Sequence, residues 1–143
     1  MRFGLGFIAL IVVCSLTACT SSAAAPAQMK ITSVQSHDVQ LLTYEIFGGD
    51  AGVAEAAFEG NFIVDDSACL ALVSGDQQIG VVLPKGTTIA EDKSLVVLPD
   101  ASPLSAEGQV RLGGGYYSPE QLPAWESEGS CKYDEYFVVS STA

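Results

Sequence analysis

The residues able to do chemistry in this 143-residue chain are seventeen acids, four cysteines and one histidine. Nucleophilic hydrolysis by serine needs a histidine base. His37 is the sole candidate; it sits in a polar stretch, Ser36-His37-Asp38, and no Gly-x-Ser-x-Gly elbow exists to partner it. It reads as a surface residue. Carboxylates come in pairs at Asp65-Asp66, Glu91-Asp92, Glu126 with Glu128, and Asp134-Glu135. A glycosidase needs two carboxyls roughly 5–9.5 Å apart across a sugar cleft, but an acidic chain supplies such pairs by chance. Asp65-Asp66 reads as a solvated turn. The spaced Asp-x-Asp-x-Asp-Gly pattern of a calcium loop is missing. Gly113-Gly114-Gly115 has neither a following Gly-Lys-Ser/Thr nor a helix signal, so it reads as a turn or bulge needing positive φ. The sequence therefore predicts no catalytic residue, no metal site, no cofactor and no enzyme.

Aromatic side chains are the remaining asymmetry. Six of them, Tyr116, Tyr117, Trp125, Tyr133, Tyr136 and Phe137, fall within one short stretch, interleaved with Glu120, Glu126, Glu128, Asp134 and Glu135. Tyrosine and tryptophan among charges suit an interaction surface, for which Tyr116, Tyr117, Trp125 and Tyr133 are the candidates. The competing reading puts Tyr136 and Phe137 in the core and leaves Trp125 stapling a loop.

Position along the chain says more than these side chains do. Arg2 precedes an apolar stretch from Phe3 to Val13, and small or polar residues follow it. The stretch is shorter than the ~20 residues needed to span a bilayer. Its layout is that of a secretory signal peptide; a buried helix or strand is the alternative, which Gly4 and Gly6 would weaken. Directly after it, Leu16-Thr17-Ala18-Cys19 resembles the lipobox of bacterial lipoproteins. The resemblance implies cleavage before Cys19 and a diacylglyceryl group on its sulfur, leaving the domain on the outer face of the cell membrane. Two or three acyl chains anchor stably where one does not. In an organism with two membranes, Thr20 rather than Asp after the cysteine does not favour retention at the inner one. Residues 20–28, TSSAAAPAQ, read as a flexible tether reaching at most about 30 Å.

Cysteine counting follows from that layout. Cys14 leaves with residues 1–18, Cys19 takes the lipid, and Cys69 and Cys131 remain to pair outside the cytoplasm. No Cys-x-x-Cys points to redox work, and one histidine is too few for a zinc site.

Six basic residues against seventeen acids give a net charge of −11, or −12 after loss of Arg2. That balance argues against nucleic acid, whose phosphates call for basic residues. It also predicts repulsion from an anionic leaflet and attraction to a basic partner. The composition, 48% hydrophobic and 16% charged, is that of a folded domain. Part of the mean hydropathy of +0.32 belongs to the first segment.

What must position these residues is a set of short apolar runs broken by Gly, Pro, Asp and Ser. They predict strands near Gln40–Phe47, Ala54–Val64, Ala68–Ser74, Gln78–Leu83, Leu95–Leu98, Gln109–Leu112 and Tyr136–Ser140. Val39 and Ile89 fit strand ends, and Ser74-Gly75-Asp76-Gln77 fits a hairpin loop. Ala51–Phe58 is the best helical candidate, spoiled by Gly52 and Gly60. The prediction is one all-β domain over residues 29–143, a small barrel or sandwich with one disulfide.

Gly60, Ala68-Cys69-Leu70, Val82-Leu83-Pro84 with Gly86-Thr87, Val97-Leu98-Pro99, Leu112 with its three glycines, and Cys131 also resemble a family of small, uncharacterised β-domains in actinobacterial lipoproteins and secreted proteins. The resemblance spans roughly residues 54–139 and implies a fold but no catalytic residue. The expected function is a membrane-anchored binding or envelope-structural module. Two alternatives are an inhibitor of a basic envelope-attacking enzyme and a cell-wall glycan hydrolase.

Overall fold

The computed structural model describes residues 29–47, 55–100, 102–123 and 131–142. The fold is all-β. Its strands are β1 (Met29–Ser36), β2 (Val39–Ile46), β3 (Ala56–Val64), β4 (Leu70–Ser74), β5 (Gln77–Pro84), β6 (Thr88–Ile89), β7 (Leu95–Val97), β8 (Pro103–Ser105), β9 (Gln109–Tyr117) and β10 (Tyr136–Thr142). One 3-10 turn, Pro119–Gln121, follows β9.

Five strands close a barrel in the order β3-β4-β5-β10-β9 and back to β3. Strand β5 makes the junction with the rest of the sheet. Its first half, Gln77–Gly80, pairs with β4, while Val82–Pro84 pairs with β2 in parallel. The β1–β2 hairpin is thereby bonded to the barrel wall. A second sheet, β6-β7-β8, adds Ile89 and Val96 to the core of the barrel, and Leu98, just past β7, joins them.

Alternation of side chains along the strands creates two cores. Leu41, Val81, Leu83, Phe137 and Val139 point into the barrel with Phe58, Phe62, Leu72 and Leu112. Their chain neighbours Leu42, Val82, Tyr136 and Val138 point out, into a second cluster with Met29, Ile31, Tyr117, Leu122 and both bonded cysteines. Strands β2, β5 and β10 are therefore covered on both faces. That is why Val81-Val82-Leu83 and Phe137-Val138-Val139 are continuous apolar runs rather than alternating ones.

The Cys69–Cys131 disulfide forms as the sequence predicts, with the Cα atoms 5.6 Å apart. It ties the β3–β4 turn to the segment entering β10, and both cysteines are buried.

Several expectations are corrected. Gly113-Gly114-Gly115 is no turn; it lies inside β9, and the positive-φ glycines among the described residues are Gly75 and Gly86. A register shift does occur beside it, on the partner strand between Val139 and Ser141. The physical reason for glycine is close approach: a Cβ at Gly114 would overlap the Val138 carbonyl oxygen and press on the Phe137 ring. The described end of the helical candidate, Ala56–Phe58, is strand. Strands β1 and β8 were not expected. In β1 only Met29 and Ile31 are buried, too short an apolar pattern to register. Residues 1–28, with the lipobox and Cys19, lie outside the described residues.

Candidate functional site

The aromatic segment distributes its side chains by strand parity. Tyr116 and Tyr117 are neighbours on β9 and face opposite ways. Tyr117 is 2% exposed and belongs to the outer core, so it offers no surface to a partner, contrary to the expectation. Tyr116 is 42% exposed; its ring stands edge-on to Phe137 with centroids 4.8 Å apart. Trp125 lies outside the described residues, as do Glu126 and Glu128.

Tyr133 is half-buried and held from two sides. Its hydroxyl donates to Asp65 Oδ2 at 2.5 Å, and its ring meets Tyr136 edge-on at 5.8 Å. The Tyr136 hydroxyl in turn accepts from the Tyr133 N–H at 3.0 Å and donates to the Cys131 carbonyl at 3.2 Å. Burial, reinforced by the Asp65 carboxylate, pushes the Tyr133 phenol well above its ordinary range. These bonds brace the disulfide, and only part of the Tyr133 ring is open to solvent. Of the four predicted surface aromatics, then, Tyr116 is the described one that stands clearly exposed. Tyr136 and Phe137 are core.

His37 is exposed at the β1–β2 turn with φ of 54°, a conformation histidine tolerates better than most residues. Among the acids, Asp65 is less solvated than expected: besides Tyr133 it accepts from the N–H groups of Ser67 and Cys69. Asp38, Asp92 and Asp100 are held below the usual carboxylate range by hydrogen bonds from Lys93, Ser94 and Ser102 respectively. A glycosidase acid needs the opposite shift. Among the described residues no three His, Cys, Asp or Glu side chains gather as a metal site would require.

Two of the open depressions among the described residues bear on this. One, of about 430 Å³, is lined by Glu55, Ala56, Ala57, Gly113, Gly114 and Ser140. The other, of about 230 Å³, lies across β1, β2 and the end of β5 and is lined by Lys30, Thr32, Thr43, Tyr44, Glu45 and Lys85. Each contains a single carboxylate, so neither assembles the paired acids of a glycan hydrolase.

The second depression was not foreseen. Lys30 stands opposite Glu45 in the β1–β2 register, and Lys85 Nζ bonds Glu45 Oε2 at 2.8 Å. The Tyr44 side chain turns to the other face of β2, where its hydroxyl donates to the Val139 carbonyl at 2.8 Å and burial raises its pKa. Lys30 and Lys85 are 55 residues apart in sequence and line one depression because β2 pairs with β1 on one side and, in parallel, with β5 on the other. Local sequence carries no signal of it: Lys85 ends the run Val81-Val82-Leu83-Pro84, but Lys30 stands between Met29 and Ile31 with polar Gln28 just before. No protein family, curated protein or solved structure matches the chain.

Proposed function

We propose that the chain is a bacterial lipoprotein, with residues 1–18 as its signal, Cys19 as the lipidated residue and residues 20–28 as a tether. The β-domain then works outside the cell membrane as a binding or envelope-structural module. The observation that carries this reading is the Cys69–Cys131 bridge, since such bonds persist in oxidising compartments. Leu16-Thr17-Ala18-Cys19 supports the same compartment from unrelated residues. The partner fitting this domain is a basic protein, because an acidic surface steers such a partner and speeds its association. Inhibition of a basic envelope-attacking enzyme is the sharpest form of that binding.

Expression of the full precursor in a bacterial host with labelled fatty acid tests the anchor. Label on the wild-type chain and membrane-fraction retention are expected; Cys19→Ala should release the domain or leave an uncleaved precursor. Normal cleavage and retention of Cys19→Ala would sink the reading. Capture of a basic envelope protein that is lost at high salt would support the binding role, and salt-insensitive capture would count against it.

A further inference from the structure

We propose that the end of the domain where the chain enters β1 is a docking face for the anionic leaflet carrying the Cys19 lipid. This rests on the lipoprotein reading and adds an orientation to it. Three strands end there together. Met29 pairs with Ile46, Lys30 with Glu45, and the Lys85 N–H donates to the Tyr44 carbonyl at 2.8 Å. Lys30, Glu45 and Lys85 thus form one row across β1, β2 and the end of β5, carrying a net charge of +1 on a chain that is otherwise strongly acidic. Lys30 makes no ion pair among the described residues, whereas Lys93 is bonded to Asp38 and Arg111 lies beside Glu59. Phe47, next in sequence after β2, is 52% exposed, the most open of the large apolar side chains described.

The attachment point selects the occupant. Only nine residues separate Cys19 from Met29, so this end lies within about 30 Å of the headgroups whatever path those residues take. Lysines near an anionic surface are attracted to lipid phosphates, and acids are repelled. The uneven charge therefore turns the Lys30–Lys85 row inward and the acidic bulk outward. Phe47 supplies an apolar side chain of the kind that interfacial segments bury at the boundary between headgroup and acyl chain. Repulsion from the leaflet, expected from net charge alone, becomes a force that orients the domain.

The full lipidated chain, reconstituted into vesicles of zwitterionic lipid alone or with an anionic lipid, tests this by amine labelling and peptide mass spectrometry. Lys30 and Lys85 should label about fivefold more slowly in anionic vesicles, the factor that one lysine near such a surface gains. Lys93 and Lys132 should be unchanged, and high salt should abolish the difference. The double substitution Lys30→Glu with Lys85→Glu should leave the circular dichroism of the chain unaltered and raise the protease accessibility of the anionic-vesicle form. A lipidated chain whose Lys30 and Lys85 label equally in both vesicles overturns the docking alone. An N-terminal peptide without lipid overturns the anchor, and the docking with it. Protection of the two lysines by a soluble glycerol phosphate polymer, with none from anionic lipid, would also overturn it.

Discussion

The Tyr133 hydroxyl and the Asp65 carboxylate meet at 2.5 Å, joining the segment that enters β10 to the β3–β4 turn. The disulfide between Cys69 and Cys131 joins the same two segments. Asp65 also closes its own turn by accepting from the N–H groups of Ser67 and Cys69 at 2.9 and 3.0 Å. One carboxylate therefore sets the position of Cys69 and clamps the strand of chain that brings Cys131 to it.

Tyr133→Phe should consequently lower the stability of the oxidised protein by about 1–2 kcal/mol. Bonds to a charged acceptor contribute about 1.5–3 kcal/mol, and partial exposure places this one toward the lower end. Urea unfolding of the disulfide-intact protein measures the difference. A midpoint equal to wild type would mean that the contact is formed in both states or in neither.

Removing the covalent bond costs more. Replacing both cysteines, Cys69→Ala with Cys131→Ala, should destabilise the domain by about 2–5 kcal/mol. The bridge closes a span of 62 residues that includes most of the barrel, so its loss frees a long stretch of unfolded chain. Both cysteines also pack in the outer core, and their truncation removes contacts there. Chemical denaturation with and without reductant gives two routes to the same number. Reduction that left the wild-type midpoint unmoved would contradict this role.

Where the sequence could be read, the reason was burial on one or both faces. Val81-Val82-Leu83 and Tyr136-Phe137-Val138-Val139 announce strands because both parities are apolar, and both cores claim them. β1 escaped because it is an edge strand whose outer parity, Lys30 and Thr32, faces water. The candidate surface lost Tyr117 for a different reason. Parity along β9 decides whether Tyr116 or Tyr117 is buried, and composition carries no parity. The Lys30–Lys85 row was illegible because it depends on parallel pairing of β2 with β5, a long-range choice that local pattern leaves open.

Alkaline pH provides a further check. Tyr44, Tyr133 and Tyr136 all have phenol pKa values raised above 10.0, chiefly by burial. A raised native value means that the unfolded chain loses these protons first. Stability is then fully present below pH 10 and falls as pH rises through the native values. Phenolate absorbance should lag behind that of free tyrosine and rise together with loss of circular dichroism. Tyr133→Phe should make the fall shallower. Ionisation of all the tyrosines near pH 10 with the fold intact would contradict the buried placements.

Glycine substitutions separate close approach from backbone conformation. Gly75 has φ of 59° at the β4–β5 turn, and nothing lies within 4 Å of where its Cβ would be. Gly75→Ala should cost only the left-handed conformation, about 1–2 kcal/mol. Gly114 has ordinary strand geometry, but its Cβ would strike the Val138 carbonyl and the Phe137 ring. Relief would require β9 and β10 to part, which opens the barrel where Tyr116 packs on Phe137. Gly114→Ala should therefore cost about 3 kcal/mol or more, at the top of the range for overpacking. Paired urea curves decide the order. If Gly114→Ala were the milder change, the irregular pairing between Val139 and Ser141 would be absorbing the added methyl, and the close strand contact would not be what requires glycine there.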